Sequence, residues 1–110
     1  SANNALGNAA AGASYARRAI SCLEQVYPKY HSEVAMMHAA LAQTEWRRFT
    51  DKPSDPGPQQ ASVRAFKRCL EILAVCYGVN HEASIELTKL KDKVEAGQMR
   101  TSQLPGESQQ

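Results

Sequence analysis

Residues 61–81, ASVRAFKRCLEILAVCYGVNH, decide how this chain folds. They are its longest stretch able to bury a face without interruption. Val63, Phe66, Leu70, Leu73 and Tyr77 recur every three or four residues, and Cys69, Ile72 and Cys76 widen the stripe beyond a narrow seam. Arg64, Lys67, Arg68 and Glu71 take the other side. The spacing predicts a helix with a wide apolar face, closed by Gly78 as a left-handed C-terminal cap. A single helix of that kind has to be covered by others.

The chain has 110 residues, enough for one domain with one core. A formal charge of +2, from 13 basic and 11 acidic residues, creates no strong field for nucleic acid or an acidic membrane. No apolar run approaches a membrane span, and no signal peptide opens the sequence. Cys22, Cys69 and Cys76 are odd in number, and Cys69 and Cys76 lie about 10 Å apart along one helix, too far to pair. All three are expected to be reduced core thiols of a cytoplasmic or nuclear protein. Nothing resembling a C-x-x-C zinc motif occurs, and no cofactor is expected.

Outward from the central stretch, residues 1–12 carry one large apolar side chain, Leu6, and are expected to form a flexible leader. A helical domain is expected over 13–97. Its first helix runs from Ala13 to Tyr27, stopped by Pro28, and its second from Ser32, the expected N-cap, to Phe49. Residues 50–60, with three of the five prolines, are expected to be a surface insertion. A fourth helix is expected from Glu82 to Ala96, its polar side carrying the pairs Glu86 with Lys89 and Lys91 with Glu95. Residues 98–110 are expected to form a disordered tail.

A shift of 50 residues lays the first helix over the central one. Arg17 then meets Lys67, Arg18 meets Arg68, Ile20 meets Leu70, Leu23 meets Leu73, Tyr27 meets Tyr77 and His31 meets His81. Each matching helix ends in Pro or Gly three residues before the His. Removing about eight residues of the insertion leaves a period of about 42, within the range of helical-hairpin repeats and longer than the 34 of the tetratricopeptide repeat. The fold class expected is therefore all-α, with stacked antiparallel hairpins in tetratricopeptide style.

Two families share this pattern. Tyr77-Gly78-Val79-Asn80-His81 before a new helix resembles the Gly-x-x-His-Pro junction of kinesin light chains, with Glu82 in place of their Pro. The run from Ala13 to Arg18, the segment Tyr27 to His31, the Ala-rich run through Trp46, and Cys69 to Leu73 with Tyr77, Gly78 and His81 resemble the C-terminal helical domain of SET-and-MYND lysine methyltransferases. That resemblance covers roughly residues 13–100. It implies a non-catalytic domain that walls the substrate cleft of a SET domain in the same parent chain and meets protein partners, a heat-shock chaperone tail among them. The catalytic SET fold and the zinc module of that family are absent from this sequence, so no methyl-transfer residue is assigned. The kinesin-light-chain resemblance implies instead an adaptor for short peptides.

In tetratricopeptide stacks the first helix of each hairpin lines the concave groove. Here those are the second and fourth helices, whose polar-side positions include Met36, Gln43 and Arg47, then Lys89 and Lys93. These five are the expected partner contacts, with Arg47, Lys89 and Lys93 electrostatic and Met36 adaptable. His31 and His81 are expected to start helices rather than bind metal, and His38 to be hydrogen-bonded or half-exposed. Trp46 and Phe49 are expected in the core. Nucleophilic catalysis would require an exposed thiol of low pKa beside a base, and no cysteine shows that setting. With few repeats to cover its ends, the first helix is expected to leave Tyr15, Ile20 or Leu23 partly uncovered and the chain to self-associate weakly.

Overall fold

The computed structural model describes residues 2–97, which form four helices and no strand: α1 (Ala2–Val26), α2 (Ser32–Asp51), α3 (Gly57–Tyr77) and α4 (Glu82–Glu95). None of them is long and apolar enough to cross a membrane. Successive helices run antiparallel. Gly12 of α1 lies against Thr44 late in α2, whereas Leu23 packs near Val34 and Ala35 at its start. Ser62 of α3 donates to the carbonyl of Ala42 at 2.7 Å, and Cys76 reaches back to the carbonyl of Tyr30. Gln59, at the start of α3, donates to the carbonyl of Val94, at the end of α4.

Two apolar clusters hold these helices. In one, Ala42 and Trp46 of α2 meet Ala65 and Phe66 of α3 and Val94 of α4. In the other, Val34, Ala35 and Ala39 of α2 meet Cys69, Ile72 and Leu73 of α3, with Tyr27 and Ala83 at the edges and Leu87 touching both clusters. The alanines Ala35, Ala39 and Ala42 leave no bulk between the backbones of α2 and α3, which is what lets Ser62 reach a main-chain carbonyl of its neighbour. Trp46 is buried as expected, its ring 5.0 Å from that of the half-buried Phe49.

Several boundaries differ from the sequence expectation. The helix expected from Ala13 begins at Ala2, so residues 2–12 are helical rather than a loose leader. Small residues explain this: Ala9 and Ala13 are buried, and a Cβ on Gly12 would already touch Thr44. The proline-rich loop shrinks to residues 52–56, because α2 continues through Asp51 and α3 starts at Gly57. Pro58 sits in the first turn of α3, where its missing N–H costs nothing, and Asp55 accepts from the Gly57 N–H at 3.0 Å. Gly78 has the positive φ expected of a cap, +94°, but with an extended ψ of 156°, and its N–H donates to the carbonyl of Ala74. Ser1 and the expected tail at 98–110 lie outside the described residues.

The N-cap of α2 is His31, not Ser32. Its Nδ1 accepts from the Glu33 N–H at 3.0 Å, and His81 caps α4 the same way, accepting from the Ala83 N–H at 3.1 Å. Tyr27 stacks on His31 at 4.1 Å between ring centroids and Tyr77 on His81 at 5.1 Å. Each cap satisfies a helix N–H that has no partner within the helix. Replacing either histidine with Ala is expected to lower stability by about 1 kcal/mol, and replacement with Asn to restore most of it. Urea unfolding of the four single variants measures both.

Candidate functional site

The five expected partner residues fall into two sets. Met36, Gln43 and Arg47 lie at i, i+7 and i+11 and so share one stripe of α2, where Met36 and Arg47 are exposed and Gln43 is half-buried. Lys89 and Lys93 share a stripe of α4; both are exposed, and Lys89 pairs with Glu86 at 3.6 Å. Arg47 also borders a hollow with Asn8, Gly12 and Thr44, so its surroundings include α1 as well as solvent.

Opposite that stripe, α1 and α3 stand on either side of α2 and leave a cleft of about 300 Å³ floored by His38, Leu41 and Glu45. Arg17 comes from the α1 side, Arg64 and Arg68 from α3. Glu45 is only 1% exposed, and both of its oxygens are taken, one by Arg17 and the other by Arg48 at 2.9 Å. The sequence reading did not anticipate this, because Glu45 lies on an otherwise ordinary helical polar position beside Trp46. Helical periodicity alone offered a hint: Glu45 falls at i+7 from His38 and i+4 from Leu41, on the stripe that turns inward.

Arg68 is committed elsewhere in part. It pairs with Glu71 at 3.0 Å, donates to the carbonyl of Lys29 at 3.4 Å, and lies over the ring of Tyr30 at 5.5 Å. His38 is half-buried, and its Nε2 is buried without a hydrogen-bond partner among the described residues, as is Nε1 of Trp46. Burial, and next the positive charge of Arg68, hold His38 below the ordinary histidine range, with Glu24 pulling the other way. The unfolded chain therefore takes up a proton here before the folded one does. Stability is expected to be fully present above about pH 6.5 and to decline as pH falls below it through the lower folded value. Replacing His38 with Gln should flatten that part of a stability-against-pH curve.

The cysteines correct the sequence reading. Cys69 is a core thiol, buried and pushed up to about 11 by its burial, but Cys22 and Cys76 are exposed. Their helical positions match apolar ones, yet no helix among the described residues covers Cys22, and Cys76 sits in the last turn of α3, where its Sγ meets the Tyr30 carbonyl at 3.2 Å. Native-state labelling with a disulfide reagent should titrate Cys22 and Cys76, the first faster, with Cys69 appearing only on unfolding. Neither exposed thiol has a histidine hydrogen-bonded to it, and no group of three or more His, Cys, Asp or Glu among the described residues is arranged to hold a metal ion.

A third surface lies on the outer side of α1. Tyr15, Ala19, Cys22 and Leu23, with Met37 and Glu33 of α2, border an open, mainly apolar groove of about 660 Å³. Of the residues expected to be uncovered, Tyr15 is 65% exposed and Leu23 half-buried, whereas Ile20 is buried. Comparison with protein-family models, with curated proteins and with solved structures finds no match.

Proposed function

We propose that this chain is a non-catalytic, tetratricopeptide-like interaction domain of the kind that closes SET-and-MYND lysine methyltransferases, working in the cytoplasm or nucleus without a cofactor of its own. The observation that carries the reading is the recurrence of one junction: a Tyr at or just past a helix end, a short turn, and a histidine whose Nδ1 caps the next helix, at Tyr27 to His31 and again at Tyr77 to His81. Two hairpin-like units built on one plan are what a stack of helical repeats requires.

In that stack the stripe of Met36, Gln43 and Arg47 and the stripe of Lys89 and Lys93 line the concave side. Arg47, Lys89 and Lys93 would meet carboxylates of an acidic segment such as a chaperone tail, and Met36 would adapt to an apolar side chain. A SET domain of the same parent chain would be walled by the same array. The Gly78 to His81 junction, with its positive φ and histidine cap, equally supports a peptide adaptor of kinesin-light-chain type.

An isotope-labelled amide spectrum decides between them. Titration with an acidic tail peptide should move Arg47, Lys89 and Lys93 if this domain grips peptides by itself. Silence there, with broadening on adding a SET-domain protein, makes it a wall of a larger enzyme. No response to either overturns the proposal.

A further inference from the structure

The internal repeat places the outer groove of α1 in register with a part of the core. Subtracting 50 from Cys69, Ile72 and Leu73 gives Ala19, Cys22 and Leu23, and subtracting it from Ala83 and Leu87 gives Glu33 and Met37. The first five belong to or edge the second apolar cluster; the others line the groove. What the cluster has and the groove, among the described residues, lacks is the helix that fills it, α2, which inserts Val34, Ala35 and Ala39. The adjacent side of α1 obeys the same register. Ala13, Ala16 and Ile20, at the positions of Val63, Phe66 and Leu70, are buried, as expected if α2 covers α1 the way α4 covers α3.

We infer that the groove is a docking site for a partner helix of the α2 type: an amphipathic helix lying antiparallel to α1 and presenting a β-branched residue and alanines at i, i+1 and i+5. Tyr15 stands where α3 has Ala65 and takes up room that an occupant side chain would otherwise fill, whereas Ala19 and Cys22 are smaller than Cys69 and Ile72. The rim adds charge complementarity. Arg18 stands where Arg68 donates to the Lys29 carbonyl and covers Tyr30, just ahead of α2, so an occupant with an aromatic residue before its N-cap meets the same guanidinium. Glu33 replaces Ala83 and favours Lys or Arg on the occupant beside it. The groove is continuous with the α1–α2 interface, since Leu23 both lines it and packs on the core cluster. The inference rests on the repeat and not on the methyltransferase resemblance, and it concerns a face other than the concave stripe.

The probe is a synthetic peptide of residues 29–47, which carries Tyr30, the cap and the small-residue stripe. The readout is the labelling rate of the three thiols in the full chain. At saturation the peptide should slow Cys22 at least about tenfold and leave Cys76 unchanged, while the same peptide with Ala35→Glu and Ala39→Glu should do nothing. In an amide spectrum, Tyr15, Ala19 and Met37 should shift and Lys89 and Lys93 should not, which separates this site from the concave one. Four results would overturn it: no protection of Cys22 at millimolar peptide, equal protection by the Glu-bearing peptide, new reactivity of Cys69, which means that the peptide displaces α2 itself, or protection of Cys22 by raising protein concentration alone, which makes the occupant a second copy.

Discussion

Replacing Phe66 with Ala is expected to destabilise the fold by about 3–5 kcal/mol. Phe66 is fully buried and central to the cluster formed with Ala42, Trp46, Ala65 and Val94, so its ring joins α2, α3 and α4. Removing it loses the transfer free energy of the ring and leaves a cavity that three helices cannot all close upon. In a domain whose total stability is of the order of 5–15 kcal/mol, that is a large share. Urea unfolding followed by far-UV circular dichroism measures it, with Tyr77→Ala as the comparison. Tyr77 belongs to the same sequence stripe but is 53% exposed and touches mainly His81, so its loss should cost only about 0.5–1.5 kcal/mol. Equal losses for the two would contradict the packing described here.

The second large effect concerns Glu45. Replacing Arg17 and Arg48 together with Met is expected to cost about 3 kcal/mol, because a carboxylate that is out of water loses both of its bonded cations. The value lies at the low end for a broken buried pair, since about half of the Arg17 side chain is in water and Arg64 and Arg68 line the same cleft. Replacing Glu45 with Met should cost much less, because the arginines it frees can turn to solvent and the site gains an apolar side chain. The asymmetry is the test: if Glu45→Met proves as damaging as the double arginine variant, the carboxylate is needed for something other than neutralising its own burial. A thermal melt of each, at one salt concentration, is sufficient.

Local chemistry made much of this protein legible in its sequence. Pro28 and Gly78 mark helix ends, the three-to-four spacing of Phe66 and Leu73 marks a buried face, and the 50-residue recurrence of Tyr and His marks two equivalent junctions. All of these are set by backbone geometry within a few residues. The errors arose where a decision needed a neighbour. Whether residues 2–12 form helix depended on Ala9 and Gly12 meeting α2. Whether Cys22 is a core thiol depended on whether a helix lies over that side of α1, since α1 and α3 carry matching apolar patterns and only α3 has α2 against the matching face.

The candidate surfaces divide the same way. The stripes of Met36, Gln43 and Arg47 and of Lys89 and Lys93 follow from helical periodicity, which says which residues share a side of one helix. It does not say which sides of two helices face each other, and so could not reveal the cleft around Glu45, where Arg17 arrives from a helix 28 residues away in sequence. The sequence by itself determined the number and order of the helices and their repeat, because those obey short-range hydrogen bonding and period. Only the tertiary structure decided which apolar faces are covered, which charge is buried and where an unfilled groove remains, because burial belongs to a pair of surfaces and not to one.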